Sequence, residues 1–95
     1  MKQIEIKRSS DLPNSKFEVT IRDSRLTSHI VTLSQDYYEK LTAGSVSADE
    51  LIEASFEFLL AREPNTSILP EFDLKVISDY FPAYEREMKS RYRTS

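Results

Sequence analysis

The stretch Ser47–Arg62 constrains this chain more than any other. At helical spacing, Leu51, Ile52, Ser55, Phe56, Phe58, Leu59 and Leu60 cover roughly half the circumference, wider than the ~100° apolar stripe of an ordinary surface helix. Glu50, Glu53 and Glu57 share the remaining face. A helix this apolar must be covered from more than one side, so it is predicted to be central. Its start is specified twice. Ser47 can accept from the Glu50 N–H while the Glu50 side chain reaches back to the Ser47 N–H, and Val46 and Leu51 stand at the spacing of a hydrophobic staple. Asp49 and Glu50 put negative charge at the positive end of the helix dipole. Pro64 cannot continue the helix and disfavours the α conformation at Glu63.

A chain of 95 residues makes one domain with a thin core, burying about 60–65% of its unfolded surface. The absence of cysteine leaves no disulfide and no thiolate metal site, which fits a reducing, cytoplasmic setting. No run approaches the ~18 apolar residues of a membrane span, and Lys2, Lys7 and Arg8 are not followed by the apolar core of a secretory signal. A net charge of -3 argues against non-specific nucleic-acid binding.

Ile4-Glu5-Ile6 alternates like a short strand, and Ser9–Ser15, containing Pro13-Asn14, reads as loop. Residues 1–15 are therefore expected to be partly a solvated arm. From Lys16 to Arg22, Phe17, Val19 and Ile21 alternate with Glu18 and Thr20, the pattern of a half-buried strand. Asp23-Ser24-Arg25 supplies turn residues. Ser28–Leu33 follows as a second strand with His29, Val31 and Leu33 on one face, so an antiparallel hairpin is predicted. Ser34 caps a short helix, Gln35–Ala43, that Gly44 stops. Beyond Pro64, Asn65-Thr66-Ser67 is loop and spells a glycosylation sequon, to which the lack of a secretory signal gives little weight. Ile68 and Leu69 are expected to plug the edge of the core. A helix opening at Pro70 or Asp73 would carry Phe72, Val76, Ile77, Tyr80 and Phe81 on its apolar side until Pro82 ends or kinks it. The last helix, from Pro82 to about Arg91, aligns Tyr84, Met88 and Tyr92 against Arg86, Lys89 and Arg91, and residues 92–95 are expected to fray.

His29 is the single histidine, and no nucleophile or orienting carboxylate can be named beside it, so a packed or edge-exposed ring is expected. Glu50, Glu53 and Glu57 lack the Glu-x-x-His partner of carboxylate-bridged metal helices and read as a solvated face. No phosphate-cradling glycine loop, Ser/His/Asp arrangement or cysteine pair is present. The expectation is therefore no catalytic, cofactor or metal site. Contact residues are sought instead among Tyr84, Arg86, Arg91 and Tyr92 of the last helix and Tyr37 and Tyr38 of the short one, because tyrosine and arginine are enriched at interfaces.

Residues 28–62 resemble the ribbon–helix–helix family of DNA-binding proteins. The order matches: the strand His29-Ile30-Val31-Thr32-Leu33, the Ser34 cap, a short helix, a Gly44-containing turn, then a capped helix with Leu51, Ile52 and Phe56 inward. The resemblance implies a strand shared between two chains, with Ser28, Ile30 and Thr32 facing DNA and the backbone near Ser47 and Ala48 holding a phosphate. This sequence departs from that pattern. No Lys or Arg lies between Leu26 and Glu39, Ile30 is a poor base reader, and Asp49 and Glu50 would face the phosphate with the wrong sign. More loosely, Phe56-Glu57-Phe58-Leu59-Leu60, Arg62-Glu63-Pro64-Asn65 and Tyr80-Phe81-Pro82 are similar to stretches of small uncharacterised bacterial proteins, a resemblance that implies no activity.

The reading that results is an α+β domain, an N-terminal hairpin of two or three strands packed on three or four helices. Its expected role is that of a small non-enzymatic cytoplasmic interaction or accessory protein that meets an unidentified protein partner through the exposed sheet edge or the Tyr/Arg-bearing last helix. Homodimerisation is left open, and the alternative is a ribbon–helix–helix-like DNA-binding regulator.

Overall fold

The computed structural model describes residues 3–10, 14–23 and 25–92, without the side chains of Ser9, Ser10 and Asn14. Lys2, Pro13, Ser24, Arg93, Thr94 and Ser95, used in the sequence reading, lie outside these residues. Strands β1 (Gln3–Ser10), β2 (Asn14–Arg22) and β3 (Leu26–Ser34) form an antiparallel meander. A short strand, β4 (Glu71–Asp73), adds parallel to β3, giving the order β1-β2-β3-β4. Period-two alternation sorts the two faces. Phe17, Val19, Ile21, Val31 and Leu33 are buried on the inner face, with Ile4 and Ile6 half-buried beside them. Glu5, Lys7, Lys16, Glu18 and Glu71 are exposed on the outer face, which no helix among the described residues covers. The chain is thus an α+β domain with its antiparallel meander first and its helices after, β4 alone being inserted between them.

Helix α1 (Gln35–Thr42) starts where Ser34 Oγ accepts from the Tyr37 N–H at 3.2 Å. It ends one residue before the expected glycine: Ala43 itself is left-handed at φ 53, and Gly44 follows at φ 77. A non-glycine residue in that conformation costs roughly 1 kcal/mol. The Ala43 N–H recovers part of this by donating to Glu39 O at 2.8 Å. Helix α2 (Ala48–Leu60) is capped as the sequence specifies, with Ser47 Oγ accepting from the Glu50 N–H at 3.2 Å. It stops before Pro64 is reached. The N–H groups of Arg62 and Glu63 both donate to Leu59 O at 2.9 Å, and the Arg62 guanidinium donates to Phe58 O at 2.9 Å while lying 3.6 Å from the Phe58 ring centre. A planar cation is thus stacked on an aromatic face and satisfies a carbonyl at the helix end.

Two layers enclose α2. Toward the sheet, Phe56 packs 5.7 Å from His29 and 6.0 Å from Phe72, ring centre to ring centre. Toward the other helices, Phe58 meets Phe81 and Tyr84 edge-on at 5.8 and 5.3 Å. Helices α3 (Val76–Tyr80) and α4 (Tyr84–Tyr92) form that second layer. Leu51, Ile52 and Phe56 are fully buried, while Glu50, Glu53 and Glu57 are exposed.

Two sequence expectations are corrected. Within the expected arm and loop of residues 1–15, the described residues are strand: β1 runs to Ser10 and β2 starts at Asn14, so Lys7 and Arg8 belong to a sheet. Only Ile4 and Ile6 marked β1, because an edge strand needs fewer apolar residues on its inner face. The helix expected from Pro70 or Asp73 is delayed to Val76, since β3 claims the backbone before it. The Ile30 N–H donates to Pro70 O at 2.8 Å, and the Leu74 N–H donates to Thr32 O at 2.9 Å. A five-residue helix cannot gather Phe72, Val76, Ile77, Tyr80 and Phe81 on one face, and Tyr80 is left 66% exposed. Among the described residues, no helix is long and apolar enough to cross a membrane.

Candidate functional site

Apolar surface is exposed where α2 ends, beside residues 67–69 and α3. A groove of about 300 Å³ is lined there by Leu59, Ile68, Leu69, Phe72, Ile77 and Phe81. Tyr80 also lines it, and Glu63 is its one charged lining residue among the described residues. Leu69 is 42% exposed, so of the two residues expected to plug the core edge only Ile68 does so, at 7% exposure.

A hydrogen-bonded clip holds this groove open. His29 Nδ1–H donates to Leu69 O at 2.7 Å, since a carbonyl can only accept. His29 Nε2 is hydrogen-bonded to the Thr27 hydroxyl at 3.0 Å. Asn65 Nδ2 donates to Thr27 Oγ1 and to Arg25 O, both at 2.9 Å. The chain from 65 to 69 is therefore hung on the start of β3, with the Leu69 side chain turned out. His29 is 2% exposed and packs on Phe56, and Asn65 is 3% exposed with its amide committed. The sequon asparagine is thus a structural clip rather than an accessible amide.

Two of the four tyrosines sought as contacts, Tyr84 and Tyr37, are corrected. Tyr84 is fully buried, and its hydroxyl lies 2.6 Å from Ser55 Oγ, which donates to Leu51 O at 2.7 Å. Tyr37 is buried at 8% exposure, and its hydroxyl donates to Glu85 at 2.9 Å. Burial raises the pKa of both hydroxyls. The Tyr38 hydroxyl donates to Val46 O, and Tyr92 is half-buried. Both keep part of the side chain at the surface; helical period alone does not separate a thin-core tyrosine from an interface tyrosine. Arg86 and Arg91 are exposed, as a contact surface requires. Arg86 and Lys89 line a shallow hollow with Pro82, Glu85 and Ser90.

Glu85 ties α4 to α1, accepting from Tyr37 and pairing with Lys40 at 3.3 Å. Burial pushes its pKa up, but the Tyr37 hydroxyl and the Lys40 ammonium outweigh it, and the net shift is downward. A carboxylate with a lowered folded pKa stabilises the fold above its unfolded value, and that contribution is lost as pH falls through the folded value. Glu85→Gln is therefore expected to melt below wild type at neutral pH, with the gap closing as pH drops below 4.5 toward the lowered value. Thermal melts of both proteins across that range check this. A gap independent of pH would remove the carboxylate from the account.

The ribbon–helix–helix contact residues are placed differently from one another. Ser28 is exposed, while Ile30 and Thr32 are half-buried on the outer face of β3. Glu18 and Glu71 are the cross-strand neighbours of Ile30, a setting that repels phosphate. Strand β3 is paired on both edges within the chain, whereas the ribbon strand of that family pairs with a second chain. Ser47 is engaged as the α2 cap, and beside it Arg8 is ion-paired with Asp49 at 3.0 Å. Among the described residues, no group of three or more His, Cys, Asp or Glu side chains is arranged to hold a metal ion.

Sequence signals for the groove were weak. Ile68-Leu69 stood out as apolar in a polar loop, but Tyr80 looked like an inward residue of a longer helix. Neither family models, curated proteins nor solved structures give a match to this chain.

Proposed function

We propose that this chain is a small non-catalytic interaction protein whose groove beside α3 receives an amphipathic segment of a partner protein. One observation carries the reading: an apolar groove of about 300 Å³ flanked by outward-turned Leu69 and Tyr80, with a single carboxylate, Glu63, in its wall. Large apolar side chains exposed together around a concavity mark a contact site more often than a solvated surface. The carboxylate sets the chemistry of the occupant, a segment that offers one large apolar side chain to the groove and Lys or Arg to Glu63.

Selection of a displayed random peptide library on the folded protein tests this directly. Enrichment of sequences pairing an apolar anchor with a basic residue is expected. Leu69→Ser with Tyr80→Ser should weaken those peptides at least about tenfold, as loss of a central anchor does. Glu63→Lys should reverse the preference to acidic peptides. Peptides that bind all variants equally, or no enrichment at all, would refute the groove as the contact site. Duplex DNA is expected to give no salt-dependent binding.

A further inference from the structure

The two ends of the sheet are unlike. Strand β4 is three residues long and follows Pro70, two devices that blunt an edge. Strand β1 is eight residues long, and no strand among the described residues pairs with its outer edge. Its pairing with β2 is regular from Gln3 to Arg8, and a register shift interrupts it between Arg8 and Ser10. Among the described residues, no strand covers the outer backbone donors and acceptors of residues 3–7. Its side chains alternate: Ile4, Ile6 and Arg8 toward the core side, Glu5 and Lys7 outward.

We infer that β1 is a homodimerisation edge, pairing antiparallel with β1 of a second copy about a two-fold axis at Ile6. An axis perpendicular to the sheet keeps both helical layers on one face and pairs residues whose numbers sum to an even value. Centred on Ile6, that register sets Glu5 opposite the partner's Lys7 and Lys7 opposite the partner's Glu5. Centred on Glu5 or on Lys7, it sets like charges face to face, which is unfavourable across strands. Of the registers centred between Gln3 and Arg8, the one on Ile6 is the one that sets opposite charges face to face. On the inner face the same register brings Ile6 against the partner's Ile6, and Ile4 against the aliphatic stem of the partner's Arg8. Ile4 and Ile6, half-buried in the single chain, gain cover, and the sheet becomes eight-stranded with its blunt β4 strands outermost. The groove beside α3 belongs to other elements, so dimerisation is independent of the proposed peptide contact.

Sedimentation over a concentration series tests the edge. Wild type is expected to dimerise reversibly. Lys7→Glu and Glu5→Lys should each weaken self-association roughly tenfold or more, because two symmetric pairs turn repulsive together. Circular dichroism should show both variants folded, since both positions are exposed. Mixing the two variants restores both opposite-charge pairs, so a heterodimer should form where neither variant dimerises alone. A strictly monomeric wild type would overturn the inference. So would single variants that dimerise like wild type, or a mixture that stays monomeric.

Discussion

Tyr84→Ala is expected to lower the free energy of unfolding by about 3–5 kcal/mol, the usual loss for truncating a buried aromatic ring. The ring is fully buried, makes an edge contact with Phe58 at 5.3 Å, and ends in a hydroxyl 2.6 Å from Ser55 Oγ. Because Ser55 Oγ donates to Leu51 O, the Tyr84 hydroxyl is the donor to Ser55, and the two side chains stitch α4 to the backbone of α2. A domain of this size holds a total of roughly 5–15 kcal/mol, so the variant loses a large share of its stability. Its melting temperature should fall by on the order of 20 °C. Tyr84→Phe keeps the ring and leaves Ser55 bonded to Leu51 O, so its loss should be about 1 kcal/mol. Chemical denaturation of the three proteins checks the ordering. A Tyr84→Ala protein as stable as wild type would mean that α4 does not close the core.

The same residue shows how far the sequence can be read. Tyr84 and Met88 stood at helical spacing, which correctly put them on one face, but spacing does not say whether a face meets solvent, a partner or the core. The answer depends on Ser55, a polar residue within the apolar arc of α2, whose hydroxyl needs a partner once buried. The hairpin, the two serine caps and the central place of α2 were legible because each rests on local pattern or local hydrogen bonding. Strand β4 and the groove were not legible. They arise from non-local backbone bonds, Ile30 to Pro70 and Leu74 to Thr32, and from a clip joining Arg25 and His29 to residues 40 positions away. No window along the chain contains both ends of such contacts. The charge pattern of β1 is the converse case. Glu5 and Lys7 were plain in the sequence, yet they acquire meaning only once β1 is known to be an edge.

Phe56→Ala should cost about as much as Tyr84→Ala, roughly 3–5 kcal/mol, but for reasons on the opposite side of α2. Phe56 is fully buried between His29 and Phe72, the two residues that connect β3 and β4 to the groove wall. Removing its ring opens a cavity under the clip, and the His29 imidazole loses the surface that holds it in line with Leu69 O. Two consequences separate this variant from Tyr84→Ala. Amide exchange should quicken at Ile30 and Leu74, whose N–H groups bond to Pro70 O and Thr32 O, while the amides of α1 and α4 stay near wild type. Tyr84→Ala should do the reverse, loosening α4 and sparing β4. Phe56→Leu, which refills part of the volume, should recover more than half of the stability lost. If instead both truncations loosen all helices and strands alike, the domain opens as one unit, and α2 does not divide it into two separately responsive layers.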